Sequence, residues 1–236
     1  LLDLNLELGN SLAHMDLQAK ATIADVLRNL KRLDGDLLRG LLAVHGPSGV
    51  QAVGQSDRIE ESDEVTPDAV SALLAFLRGH YDLIIIDGLR PFDALSLTAL
   101  DSSDEILLVL TQEIPALRNA RRCLDIFDQL GYGAKGLHVV VNRSQRGLKL
   151  EIAAIAETLR RPVEAVITND FQTVSAAVNS GVLLEQAAGR EPQQQPQADQ
   201  DDQHVVQLAD HRNEVRYHVQ GHREVEDERR RDGAKE

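Results

Sequence analysis

The chain has 236 residues, a formal net charge of −13 and 42% hydrophobic residues, which fits one α/β domain with a tail, or two small domains. The acidity disfavours non-specific binding to nucleic acid or to anionic membranes. The single cysteine, Cys123, excludes a disulfide within the chain, in keeping with a cytoplasmic protein, and no apolar run is long enough to cross a bilayer.

The first predicted element is a strand over residues 1–6, which carries Asp3 near its carboxyl end. Because a natural chain rarely begins inside a strand, we expect a further segment upstream of Leu1. Thr22 is a hydroxyl N-cap for an amphipathic helix that runs to about Leu33. The pattern then predicts a short helix over 36–44, a short strand over 49–54 and a polar surface loop over 55–64.

The central strand of the predicted sheet is the unbroken apolar run 83–86, which Asp87 follows. A short, β-branched run of this kind is typical of a strand buried on both faces. The helix before it begins at Thr66-Pro67-Asp68, where a hydroxyl cap, a first-turn proline and an acid favour helix initiation. Asp87 would lie at the carboxyl edge, where open α/β sheets bind ligands; alternatively, it caps a helix or begins a turn.

The same helix–strand unit repeats along the rest of the chain. The predicted elements are a helix over 92–100, a strand over 105–110, a long helix from Pro115, a strand over 137–141, a helix over 148–159, a strand over 163–167 and a helix through Val178. Alternation at this spacing predicts a mostly parallel central sheet with helices on both faces.

The character of the sequence changes near residue 189, so we expect an α/β domain over 1–188 and a low-complexity, charged and disordered tail over 189–236. Helical spacing of apolar residues and histidines in the tail leaves a marginal helix possible. On such a helix, His218 and His222 could share a metal ion; a solvated tail is the alternative.

Polar residues follow several of the predicted strands and should gather at one edge of the sheet: Asp3, Asp87, Thr111, Asn142, and Thr168, Asn169 and Asp170. Two acids suit a hydrated Mg²⁺ and a water aligned on a phosphate, and an asparagine suits the hydrogen-bonding edge of a base. Helix caps and turns place the same residue types at strand ends. The sequence contains no G-x-x-x-x-G-K-[ST] phosphate loop.

These motifs resemble the MinD/ParA superfamily of deviant Walker ATPases, and within it the CpaE/TadZ pilus-assembly branch. The similar stretches are L-L-D-L-N-L-E-L-G-N, Y-D-L-I-I-I-D, L-V-L-T-Q-E-I-P-A-L-R-N-A-R-R, V-V-V-N-R and I-T-N-D. They lie within 1–184. The resemblance implies a P-loop NTPase fold that binds ATP with Mg²⁺ and dimerises around the nucleotide, with the strand and phosphate loop that the family places first missing from this sequence.

The resemblance also implies roles for individual residues. Asp3 matches the acid that positions the attacking water, and Asp87 matches the Walker B acid that holds Mg²⁺ through water. Asn142 matches the residue that recognises adenine, and Asn169 and Asp170 match the loop beside the base.

Departures from the family pattern imply weak or no ATP hydrolysis. Asn5 stands where many active members have a second aspartate, Gly88-Leu89-Arg90 replaces a Pro-Pro-Gly type of turn, and Thr168 replaces a common proline.

The resemblance therefore predicts an ATP-binding homodimer that localises pilus or secretion assembly proteins at the cell pole. The acidic, proline-interrupted tail disfavours a direct membrane anchor. The alternatives are a nucleotide-independent scaffold of the same fold and a partition ATPase; the latter needs a basic DNA-binding surface that a charge of −13 disfavours.

Overall fold

The computed structural model describes residues 1–55, 59–89, 92–134, 136–187 and 216–222. The strands are β1 (Leu2–Asp3), β2 (Ala43–Val44), β3 (Gln51–Ala52), β4 (Leu83–Asp87), β5 (Glu105–Thr111), β6 (Gly136–Ser144), β7 (Ala165–Thr168) and β8 (Arg216–His222). The α-helices are α1 (Ile23–Arg28), α2 (Gly35–Leu41), α3 (Pro67–Arg78), α4 (Ala94–Asp101), α5 (Ile114–Gln129), α6 (Ile152–Leu159), α7 (Phe171–Asn179) and α8 (Leu184–Ala187).

The main sheet has six strands in the order β1-β4-β8-β5-β6-β7. β1 pairs parallel with β4, β5 with β6, and β6 with β7, while β8 pairs antiparallel with both β4 and β5. The mostly parallel sheet predicted from the alternating pattern is therefore confirmed. Strands β2 and β3 form a separate antiparallel hairpin, and none of the described helices is long and apolar enough to span a bilayer.

One hydrophobic core holds the sheet and its helices together. Ile84 and Ile86 of β4 and Ile106 and Leu108 of β5 face it. The buried residues of α3 are Val70, Leu73, Leu74 and Leu77, and those of α5 are Ala116, Leu117, Ala120, Cys123, Leu124 and Phe127. The helical periodicity of both segments places these residues on one face, and Cys123 is buried among them, as its position on an apolar face predicts.

The opposite face of β4 is more open. Leu83 and Ile85 alternate with the core residues and are 46% and 37% exposed. Successive side chains of a strand point to opposite faces. Among the described residues, helices therefore cover β4 well only on the side of Ile84 and Ile86.

Local packing shortens several predicted elements. β1 ends at Asp3, because the chain turns back at Asn5, whose backbone N–H donates to the Asp3 carboxylate. α4 begins after Asp93, which caps it by accepting a hydrogen bond from the Ser96 N–H. The segment predicted as a loop over 55–64 contains a 3₁₀ helix, Ile59–Glu64.

Residues 216–222 form a strand in the main sheet, although they lie in the predicted tail. The marginal helix considered there does not describe them. Most of the tail, residues 189–215 and 223–236, lies outside the described residues, so the expected disorder there stays a prediction.

Candidate functional site

Asp3 and Asp87 lie side by side at the carboxyl edge of the sheet. The parallel register of β1 and β4 places Asp3 opposite Asp87, and paired strands lie about 4.8 Å apart. Asp3 is buried, with 3% of its surface exposed, while Asp87 is half-buried. The sequence-based expectation that these acids share one edge is therefore met in the structure.

The Asp3 carboxylate accepts backbone hydrogen bonds on both oxygens. The Asn5 N–H donates to Oδ1 over 3.0 Å, and the Ser11 N–H donates to Oδ2 over 3.1 Å. Hydrogen bonds to an ionised acceptor are stronger than neutral ones. The turn after β1 therefore fixes the orientation of a carboxylate that would be costly to bury alone.

Ser11 also joins the two acids. Its hydroxyl donates to Asp87 Oδ2 over 3.2 Å, while its backbone N–H holds Asp3. Sequence reasoning missed Ser11, because a serine after a glycine and an asparagine is typical of any turn. Only the register of β1 and β4 brings it within reach of both carboxylates.

Two glycines leave room for the Asp3 carboxylate. A Cβ on Gly9 would lie 2.5 Å from Asp3 Oδ2, and a Cβ on Gly88 would lie 2.7 Å from Asp3 Oδ1 and 2.5 Å from the Asn5 nitrogen. Gly88 also has φ +78°, a conformation that glycine adopts most readily. The turn after β4 thus needs glycine at position 88, because the segment that follows β1 approaches it closely.

Asn142 lies at the same edge, on the other side of the sheet centre. It pairs in register with Thr111 at the end of β5, and its side-chain Oδ1 accepts a hydrogen bond of 2.8 Å from the Arg143 N–H. Three strand spacings separate β4 from β6 in the order β4-β8-β5-β6, which is about 14 Å across the sheet. The registers of β8 with β4 and β5 also place Asn142 four residues, about 13 Å, further along the strands than Asp87. Asp87 and Asn142 therefore lie at the carboxyl ends of their strands roughly 20 Å apart.

Gln112 organises the loop next to Asn142. Its amide nitrogen donates to the Leu150 carbonyl over 2.6 Å. Its amide oxygen accepts from the Gln145 N–H over 3.0 Å and from the Ser144 hydroxyl over 3.3 Å. Gln112 thus ties the end of β5 to the segment that follows β6. Its position at a strand end was visible in the sequence, but these partners were not.

Asn169 and Asp170 form the turn between β7 and α7. The Asn169 N–H donates to the Ser144 carbonyl over 2.9 Å, which places this turn beside the end of β6. Asp170 is exposed and caps α7, accepting from the Thr173 N–H over 3.1 Å. Hydrogen bonds from Thr173 lower the pKa of Asp170, so its carboxylate has a helix-capping role in the structure.

Among the described residues, no group of three or more histidine, cysteine, aspartate or glutamate side chains could hold a metal ion. Two carboxylates alone fit a cation that keeps several waters and takes further oxygens from a phosphate, which is the habit of Mg²⁺. His218 and His222 lie on β8, where four residues span about 13 Å, so helical spacing cannot bring them to one metal.

The sequence has relatives among curated proteins. It is 26% identical to the septum site-determining protein MinD of Thermotoga maritima over 132 residues, covering 54% of this chain and 48% of that protein. The chain thus spans about half the length of this relative. No protein-family model matches it.

Solved structures share the architecture. A ParA family ATPase from Chlorobium tepidum superposes with a TM-score of 0.72 at 22% identity, covering 80% of this chain and 78% of that one. MinD from Pyrococcus horikoshii, solved in complex with Mg-ADP, gives a TM-score of 0.67 at 19% identity and covers 80% and 76%. The chain thus has the ParA/MinD-like α/β fold of P-loop NTPases.

Proposed function

We propose that this protein binds ATP with Mg²⁺ at the carboxyl edge of the main sheet. The observation that carries the proposal is the pairing of Asp3 with Asp87 on neighbouring parallel strands, with Ser11 hydrogen-bonded to both. Open α/β sheets bind ligands at this edge. Bound Mg²⁺ would offset the negative charge of the phosphates.

In this proposal, each site residue along the edge contacts a different part of the nucleotide or its metal ion. Asp87, the more accessible acid, holds Mg²⁺ through water, while the buried Asp3 orients a water molecule. Asn142, roughly 20 Å away, offers its side chain to the adenine edge, and the Asn169–Asp170 turn flanks the base. The separation of the acids from Asn142 supports this division, because the triphosphate and the base lie at opposite ends of a nucleotide.

We further propose that nucleotide binding controls a homodimer that positions pilus or secretion assembly proteins at the cell pole, with weak or no hydrolysis. The motif resemblance supports this role, and Asn5 in place of a second acid supports slow chemistry. In cells, a fluorescent fusion should mark the pole, and Asp87→Ala should spread it through the cytoplasm. If the Asp87→Ala fusion stayed at the cell pole, localisation would not depend on nucleotide binding.

A nucleotide-independent scaffold is the second candidate function. It is favoured by the direction of β8, which runs antiparallel in the centre of the sheet. In the described part of the chain, the strand between β4 and β5 therefore has its amino end, and no loop into a helix, at the carboxyl edge. A scaffold would keep the fold and its interaction surfaces while binding no nucleotide.

Asp87→Ala tests the nucleotide site directly. Removal of the carboxylate should weaken Mg²⁺-dependent ATP binding at least tenfold, a loss of about 1.4 kcal/mol, and leave the far-ultraviolet circular dichroism spectrum unchanged. Calorimetric titration with ATP, with and without Mg²⁺, measures this. Because the sequence holds no phosphate-loop motif, the titration must extend to high nucleotide concentration.

Asp82→Ala is the matched control, since Asp82 is an exposed acid directly before the amino end of the same strand. It should bind MgATP like the wild-type chain. Equal affinity of Asp87→Ala and wild type would remove Asp87 from the site, and no MgATP binding by any of the three proteins would favour the scaffold.

A further inference from the structure

A β-bulge interrupts β6 at the carboxyl edge of the sheet. The pairing of β6 with β7 shifts register between Val141 and Ser144, so that three steps along β6 match two steps along β7. The extra length holds Asn142 and Arg143. Bulges are common next to functional sites, where they re-aim a side chain or end the strand pairing. The bulge therefore decides where the Asn142 side chain lies.

The backbone of Arg143 has a left-handed conformation, with φ +53°. Residues other than glycine seldom adopt such a value, and asparagine and aspartate are the common exceptions. The Arg143 N–H donates to Asn142 Oδ1 over 2.8 Å, so the two bulge residues are bonded to each other. Because arginine has no preference for this conformation, the surrounding structure must hold it in place.

Gln112, which directly follows β5, holds the residues at the end of the bulge. Its side-chain oxygen accepts hydrogen bonds from the Ser144 hydroxyl over 3.3 Å and from the Gln145 N–H over 3.0 Å. Its side-chain nitrogen donates to the Leu150 carbonyl over 2.6 Å. Both ends of one amide are thus bonded to the segment in which β6 ends and its loop begins.

The same hydrogen bonds reach the second part of the proposed base site. The Ser144 carbonyl accepts the Asn169 N–H over 2.9 Å, while the Ser144 hydroxyl donates to Gln112. Through this one residue, Gln112 connects the strand end that carries Asn142 to the turn that carries Asn169. Gln112 can therefore act on both without contacting the nucleotide itself.

The position of a side-chain amide decides which base it recognises. Adenine presents N7, an acceptor, beside its N6 amino donor, and one amide can bond to both at once. Guanine presents two acceptors there, N7 and O6, so only half of that match remains. Since hydrogen bonds need donor–acceptor distances of about 2.7–3.2 Å, a small displacement of Asn142 would remove the preference for adenine.

We infer that Gln112 is a positioning residue that sets the base preference of the nucleotide site. It holds the Asn142–Arg143 bulge and the Asn169 turn in the arrangement that favours adenine over guanine. The inference rests on the proposed function, because it concerns the same nucleotide. It assigns the choice of base to a residue that lies outside the base contacts.

Gln112→Ala in the full chain tests this role by calorimetric titration with MgATP and with MgGTP. Wild type should prefer MgATP, and Gln112→Ala should lower the ratio of the two affinities by roughly fivefold or more. Gln112→Glu keeps an oxygen that accepts from Ser144 and Gln145, so it should retain more of the ratio. Gln129→Ala is the control and should match wild type, since Gln129 is an exposed glutamine at the end of α5.

Arg143→Asn and Arg143→Val test the bulge by a separate route. Both remove the guanidinium, but asparagine tolerates a φ of +53°, whereas β-branched valine does not. The affinity ratio should therefore stay near that of wild type in Arg143→Asn and fall in Arg143→Val, as it does in Gln112→Ala. Equal ratios in these two variants would contradict a role of the bulge in base preference.

Hydrogen exchange of the nucleotide-free proteins separates this inference from the proposed function. Gln112→Ala should speed exchange roughly threefold or more at 142–150 and 169–173 and leave 83–87 unchanged. Unchanged exchange in the first two segments, or faster exchange with an unchanged affinity ratio, would overturn the inference, while MgATP binding would keep the proposed function. Equal affinity of wild type for the two nucleotides would also overturn it. Binding of neither nucleotide by wild type would reject the proposed function, and the base preference with it.

Discussion

At the scale of single residues, the candidate site depends on a buried carboxylate whose surroundings are backbone. Asp3 accepts N–H groups from Asn5 and Ser11, and Gly9 and Gly88 leave space for it. A side chain at either glycine would overlap an Asp3 oxygen. The glycines therefore contribute to the site by leaving the space that the Asp3 carboxylate occupies.

Gly88→Ala should lower the free energy of unfolding by about 1–3 kcal/mol, because alanine resists a φ of +78° and its Cβ would lie 2.5 Å from the Asn5 nitrogen. Urea unfolding followed by circular dichroism measures the loss. Gly49→Ala is the control, since Gly49 has φ +71° and a Cβ there would meet no atom within 4 Å. If both variants lose the same stability, the close approach to Asn5 adds nothing.

The sequence was sufficient to place Asp3 and Asp87 at one edge, because a residue that follows a parallel strand must lie at its carboxyl end. It was insufficient to find Ser11 as their common partner. Hydrogen bonds between residues 76 positions apart, as in Ser11 and Asp87, depend on strand register, and no local pattern encodes that register for a strand as short as β1.

At the scale of elements, the accuracy of prediction follows the strength of the local signals. α3 begins at Pro67 after Thr66, as the hydroxyl and proline predict. α6 begins at Ile152 instead of residue 148, and its N-cap, Glu151, forms no capping hydrogen bond with its side chain. A helix start without a capping side chain leaves its boundary to tertiary packing, which the sequence pattern does not show.

The capping box of α1 should make part of the stability depend on pH. Thr22 and Asp25 exchange hydrogen bonds, and the backbone hydrogen bond from Thr22 holds the pKa of Asp25 below its ordinary value of 3.8, against burial, which raises it. A lowered pKa in the folded state gives stability that is present above pH 3.8 and is lost as pH falls through the folded pKa. Acid should therefore weaken α1.

Thr22→Ala should cost about 1 kcal/mol at neutral pH. Asp25→Asn should cost less, because the amide oxygen can still accept a hydrogen bond, and its difference from wild type should shrink as pH falls below about 4. Chemical denaturation at several pH values measures both. The double variant should lose less than the sum of the single losses; strict additivity would show that the two residues act independently.

At the scale of the whole molecule, the strand order was beyond the reach of sequence patterns. Alternating helices and strands predicted a mostly parallel sheet, and the structure confirms it. The insertion of β8 between β4 and β5 joins residues more than 100 positions apart along the chain. Its polar sequence gives no signal for a central strand, so only the pairing itself shows it.

The charge of the whole molecule decides between positioning proteins and a DNA-binding partition ATPase. A net charge of −13 should repel the phosphate backbone, and non-specific DNA binding relies on its neutralisation by lysine and arginine. The α5 face is a local exception, since Arg118 and Arg122 are exposed there. Any DNA contact should therefore involve this helix.

We expect no measurable binding of a 30-base-pair duplex of mixed sequence, labelled for fluorescence anisotropy, at roughly 0.15 M salt, where the Debye length is about 8 Å. At lower salt, any weak binding should fall steeply as salt rises and disappear in Arg118→Glu/Arg122→Glu. The control is Arg28→Glu, because Arg28 is engaged with Asp25 and Glu64 away from α5. Tight binding that the α5 variant abolishes and the control retains would restore the partition ATPase, since a basic face would then outweigh the acidity of the whole chain.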